Sequence, residues 1–134
     1  MDFDAWLDTF QVNTMAPLRM VQAVIENLRL SDQPKIITIS SQMGALNWKG
    51  RGSYAYSSSK AAVNKVMQIL SSDLEEEGMI VSIFHPGWVQ TDMGGQAAPI
   101  SPQESAEGLF KAITSLKQSD SGRFLKWTGE EHPW

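Results

Sequence analysis

A chain of 134 residues, 42% hydrophobic and 19% charged, is at most one domain and has an ordinary globular composition. Eleven Lys and Arg against fifteen Asp and Glu give a net charge of -4 with no basic cluster, which argues against a nucleic-acid or anionic-membrane surface. The absence of cysteine excludes disulfide and thiolate chemistry, and the opening MDFDAWLDTF lacks the basic region and apolar run of a signal peptide. No apolar stretch approaches the ~20 residues of a membrane span, so the reading is of a soluble, cytoplasmic chain.

From Asp4 to Leu30, Trp6, Phe10, Val21, Val24, Ile25 and Leu28 recur at helical spacing, with Asp2 or Asp4 available as a cap. Pro17 falls inside that pattern and predicts a kink. Asp32-Gln33-Pro34 ends the helix. Lys35 to Ser41 (KIITISS) then reads as a short strand covered on both faces, as in a parallel sheet.

A loop carrying Gly44, Gly50 and Gly52 leads to a helix from Tyr54 to Glu77, with Val63, Met67, Leu70 and Leu74 facing inward and Gly78 as its stop. Met79 to Phe84 is a second buried strand, left through His85-Pro86-Gly87. Pro102 to Leu116 is predicted helical, with Ser101 as cap. Residues 123–127 form a weaker third strand.

Alternation of helix and strand predicts an α/β fold with a doubly wound parallel sheet of about three strands, the helices 4–30 and 54–77 packed side by side on one face. A doubly wound dinucleotide-binding domain opens with a strand and a glycine-rich turn. No G-x-G-x-x-G precedes a helix anywhere here. The expected architecture is therefore the C-terminal half of a Rossmann-type domain, with residues 1–134 as a single partial domain.

The sharpest chemical signal is Tyr56-Ser57-Ser58-Ser59-Lys60, because residues four apart share a helix face. An ammonium beside a phenol favours the phenolate, the protonation change a general acid/base undergoes. Ser41 closes a strand fifteen residues before Tyr56, at the sheet edge where α/β sites assemble. Its hydroxyl either shares a substrate oxygen with Tyr56 or ends the strand as a cap. Pro17 has no N–H for the carbonyl of Asn13, which is either freed for a water or simply marks a bend. Pro86-Gly87, with Val89 and Thr91 following, either offers backbone groups to a flat carboxamide or is an ordinary strand exit. His85 and His132 lack a metal-ligand pattern and read as structural, and no metal is expected. The acids from Asp73 to Glu77 read as a solvated helix end.

Asn13, Ser41, Tyr56-x-x-x-Lys60 and Pro86-Gly-x-x-x-Thr91 together resemble the ordered motif set of the short-chain dehydrogenase/reductase family. YSSSKAAVNK, HPGWVQTDMGG and the final PW are similar to its C-factor-like branch, related to small carbonyl reductases. The resemblance implies an NAD(P)-dependent oxidoreductase of the carbonyl reductase or alcohol dehydrogenase type. Tyr56 would exchange a proton with the substrate oxygen, Ser41 would stabilise it, and Lys60 would hold the nicotinamide ribose. Asn13 would anchor a water, and Pro86, Gly87, Val89 and Thr91 would hold the nicotinamide. It further implies NAD or NADP, with NADP favoured, a small carbonyl or alcohol substrate, and a homo-oligomer through helices 4–30 and 54–77. Against the family pattern, the glycine-rich turn and the first three to four strands are missing, so this chain alone is expected to be inactive. The alternative is a non-catalytic binding or intercellular-signalling module of the C-factor-like type.

Overall fold

In the computed structural model, which describes all 134 residues, the first long helix is interrupted by one change of winding. It comprises α1 (Phe3–Phe10), a π turn (Gln11–Met15) and α2 (Ala16–Leu28). Asp2 caps the start, its carboxylate accepting the N–H groups of Asp4 and Ala5. Pro17 cannot supply the N–H that the Asn13 carbonyl would take in an α-helix. The chain accommodates this by inserting a wider turn, in which Ala16 N–H reaches back to Gln11 C=O. The expected kink is therefore a π turn, and Asn13 lies at its centre.

Strands β1 (Lys35–Ile39), β2 (Ile80–His85) and β3 (Phe124–Lys126) form one parallel sheet in the order β1-β2-β3. Helix α3 (Tyr54–Asp73) connects β1 to β2, and α4 (Pro102–Thr114) connects β2 to β3. The helices cover opposite faces. Val21 of α2 and Val63 and Met67 of α3 pack with Ile36, Val81, Ile83 and Phe124. On the other face Leu109, Ala112 and Ile113 of α4 meet Ile80, Phe84 and Leu125. Val63, Met67, Ile83 and Phe124 are fully buried, each contributing about 1.5–3 kcal/mol by burial.

β1 departs from the expectation of a strand covered on both faces. Ile36 and Thr38 are buried beneath α2 and α3, whereas Ile39 is 45% exposed. The reason is placement: α4 packs over β2 and β3, and β1 forms the outer edge of the sheet. Ser101 and Glu104 form a reciprocal capping box on α4, which fixes its first turn close to the C-terminal ends of the strands.

Candidate active site

The catalytic candidates reach one region because parallel strands end on the same side of the sheet. β1 gives way to a short 3-10 turn (Gln42–Gly44) capped by Ser41, whose oxygen accepts the Met43 N–H at 3.1 Å. The cap role weighed for Ser41 is thus real, and it leaves the hydroxyl proton available to donate. Gly44 lies directly on α3: a Cβ there would stand 2.8 Å from the Lys60 carbonyl carbon. That close approach is what brings the Ser41 turn against the Tyr56–Lys60 segment.

Lys60 is half-buried, donates from Nζ to the Ile39 carbonyl at 3.2 Å, and lies 5.7 Å from the centre of the Tyr56 ring. Burial pulls its ammonium below the ordinary lysine range. The π turn packs onto the same stretch of α3. Asn13 Nδ2 donates to Ser59 Oγ at 3.0 Å, Ser59 Oγ donates to the Tyr56 carbonyl at 2.8 Å, and Thr14 Oγ1 donates to the Ser59 carbonyl at 2.9 Å. Asn13 is therefore wired by its side chain to the turn of α3 that carries Tyr56.

Ser41, Tyr56, Pro86, Gly87, Val89 and Thr91 line a single open cavity of about 460 Å³. Lys60 and Asn13 do not line it and stand behind Tyr56. The cavity wall also includes Met43, Trp88, Met93 and Leu109, an apolar surface contributed by three different segments. A second hollow, shared through Tyr56 and Met93, runs beside Asn13, Trp6 and Tyr54. Of these additions Trp88 and Met93 carried a signal in the sequence, since both fall inside the HPGWVQTDMGG motif.

In the segment that leaves β2, two backbone groups are held by side chains. The Pro86 carbonyl accepts from Ser105 Oγ at 2.6 Å, and the Gly87 N–H donates to His85 Nδ1 at 3.2 Å. The Gly87 N–H is thereby taken up, while the Pro86 carbonyl keeps a second lone pair. The Val89 N–H, in contrast, has no partner, and Thr91 Oγ1 accepts from Gly94 N–H while keeping its own proton. Gly87 adopts φ +90°, and a side chain there would run into Ile100. Burial first, then His132 and Lys126 nearby, hold His85 down to about 4, so its ring is neutral at pH 7.

These residues fit the nicotinamide end of a dinucleotide: an open slot, a free backbone N–H, a hydroxyl with a proton to give, and an ammonium one helical turn behind a phenol. They offer no cradle for a pyrophosphate. The start of α4 is closed by the Glu104 carboxylate, which disfavours a phosphate there.

A family profile described as short chain dehydrogenase matches residues 1–100. C-signal of Myxococcus xanthus is 40% identical over 136 residues, covering all of this chain and 81% of that protein. The 1-hydroxy-2-glutathionyl-2-methyl-3-butene dehydrogenase of Rhodococcus sp. (strain AD45) is 36% identical over 140 residues, and the chain spans 61% of it. Among solved structures, the carbonyl reductase Sniffer of D. melanogaster superposes with a TM-score of 0.94 at 31% identity. The NADPH-bound carbonyl reductase from chicken fatty liver gives 0.93 at 32% identity. All of this chain is covered in both, and it spans 59% of each.

Proposed function

Because this chain belongs to the short-chain dehydrogenase family, we propose that it is the catalytic half of a single-domain NAD(P)-dependent oxidoreductase acting on a carbonyl or alcohol substrate. The observation that carries the reading is convergence: Ser41, Tyr56 and the Pro86–Thr91 turn share one cavity, with Lys60 directly behind Tyr56. The dinucleotide, when bound, supplies or accepts the hydride. In the reducing direction the Tyr56 phenol gives its proton to the substrate oxygen, and the Ser41 hydroxyl donates a hydrogen bond to that oxygen as charge develops on it. Lys60 holds the nicotinamide ribose behind Tyr56, while Asn13 fixes the turn of α3 beneath Tyr56 and anchors a water behind Lys60. The Val89 N–H and Thr91 hydroxyl hold the nicotinamide. NADP is the favoured dinucleotide, in keeping with the NADPH-bound neighbour. Met43, Trp88, Met93 and Leu109 select a small, largely apolar carbonyl compound.

Positioning of the two reactants is worth about 7–11 kcal/mol in such reactions. Without a pyrophosphate cradle this chain alone cannot supply it, so no useful turnover is expected from the isolated chain. Adding a glycine-rich strand–turn–helix half, fused ahead of Met1 or as a separate chain, should establish NADPH-dependent ketone or aldehyde reduction. Tyr56→Phe should reduce that rate by about 10²–10⁴-fold. Undiminished turnover in Tyr56→Phe sinks the assignment.

A second reading has one observation in its favour. The chain spans 81% of C-signal but only 61% of the Rhodococcus dehydrogenase. On that reading it is a binding or intercellular-signalling module that keeps the fold without turnover. Lack of NADPH-dependent activity in the completed protein, with a partner bound equally well by wild type and Tyr56→Phe, would favour it.

A further inference from the structure

The Pro86–Gly87 peptide is one rigid planar group, and both of its polar atoms are held by side chains from different parts of the fold. Its carbonyl accepts from Ser105 Oγ at 2.6 Å, and its N–H donates to His85 Nδ1 at 3.2 Å. Ser105 is 4% exposed and sits in the second turn of α4, a helix whose start is fixed by the Ser101–Glu104 box. His85 is the last residue of β2 and is 9% exposed. The two anchors therefore belong to a helix and a strand that the local turn sequence does not control.

Flipping this one planar peptide would exchange the directions of its C=O and N–H. The φ of +90° at Gly87 lies in the region that favours glycine. In the flipped form the Pro86 carbonyl would face the lone pair on His85 Nδ1, and two acceptors would meet. Accepting at Nδ1 places the ring proton of neutral His85 on Nε2, so the ring cannot adapt by donating. Ser105 can donate or accept and adds strength; His85 supplies the discrimination.

We propose that His85 and Ser105 are positioning residues that clamp the Pro86–Gly87 peptide in one orientation, and thereby direct the free Val89 N–H into the cavity. The clamp stands on the geometry of this chain. Its consequence for a dinucleotide rests on the oxidoreductase reading above.

The clamp is testable on the ¹⁵N-labelled chain without any ligand. Ser105→Ala and His85→Leu should each raise the hydrogen-exchange rate of the Gly87 amide by about tenfold and broaden the amides of residues 87–90. Ser105→Thr, which keeps the hydroxyl, and His85→Asn, which keeps an acceptor, should restore both. The imidazole ¹⁵N spectrum should show an unprotonated Nδ1 in wild type and in Ser105→Ala. Unchanged Gly87 exchange in both Ser105→Ala and His85→Leu, at unchanged far-ultraviolet dichroism, overturns the proposal.

A second arm uses NADPH and the completed protein. Binding should weaken by about tenfold in Ser105→Ala and recover in Ser105→Thr. Equal affinity in all variants refutes the consequence for the cofactor. If even wild type binds no NADPH while Gly87 behaves as expected, the oxidoreductase reading falls and the clamp itself remains.

Discussion

His85 illustrates how one residue's surroundings reach the whole chain. Burial, with His132 from the chain's final segment and Lys126 from β3, lowers it from 6.5 to about 4. In the unfolded chain it protonates near its ordinary value, so between those limits the unfolded state binds more protons than the folded one. Stability therefore rises with pH across that window; it is complete above about pH 6.5 and is lost as the pH falls toward 4. At 1.36 kcal/mol per unit the contribution reaches about 3 kcal/mol. Denaturant melts at pH 7 and pH 4.5 should show this loss in wild type and a much flatter dependence in His85→Asn. An equal loss in both proteins would assign the pH dependence elsewhere. Protonation at Nδ1 also ends its bond to Gly87 N–H, so the turn loosens over the same range.

At the level of elements, the site depends on how closely the turn after β1 meets α3. Gly44 permits that approach by lacking a Cβ, which would stand 2.8 Å from Lys60 C and 3.0 Å from Ala61 N. Both atoms are backbone and cannot move aside without displacing the helix. Gly44→Ala should therefore cost about 1–3 kcal/mol, by the overpacking that attends added carbons in a filled interior. Thermal unfolding measures that cost. The same change should separate Ser41 from Tyr56 and lower the rate of the completed enzyme more than its affinity for substrate. A Gly44→Ala protein as stable as wild type would show that the turn has room to shift. The π turn acts in the same way on the opposite side of Tyr56, through Asn13, Thr14 and Ser59.

On the scale of the whole molecule, apolar surface is left where the helices face outward. Phe3, Leu7 and Val12 on the first helical run are each more than 60% exposed, as is Tyr54 at the start of α3. The outer edge of β1 has no strand beside it. Contiguous apolar surface and unpaired strand edges favour association. We expect self-association through the helices 4–30 and 54–77, seen by light scattering as a dimer at tens of micromolar. Leu7→Glu with Val12→Glu should return the monomer without loss of helix content. A wild-type monomer at high micromolar concentration would contradict the expectation.

The elements were legible in the sequence because they rest on local periodicity. Val63 and Met67 repeat at helical spacing, Asp32-Gln33-Pro34 breaks the first helix, and Ser101 with Pro102 marks the start of α4. The site's membership was legible for a similar reason: Tyr56 and Lys60 are one helical turn apart, and strand ends at Ser41 and Pro86 fall on the same side of a parallel sheet. What the tertiary structure alone decided is which polar groups remain free. Ser105 lies nineteen residues from Pro86, and its bond to that carbonyl follows from where α4 packs. No periodicity in the turn encodes it. Burial of His85 against His132, and the exposure of Ile39 on the outer strand, likewise depend on which neighbours the packed layers bring close. Hydrogen-bond pairing and charge state are properties of contacts between distant residues, and those contacts exist only once the layers have assembled.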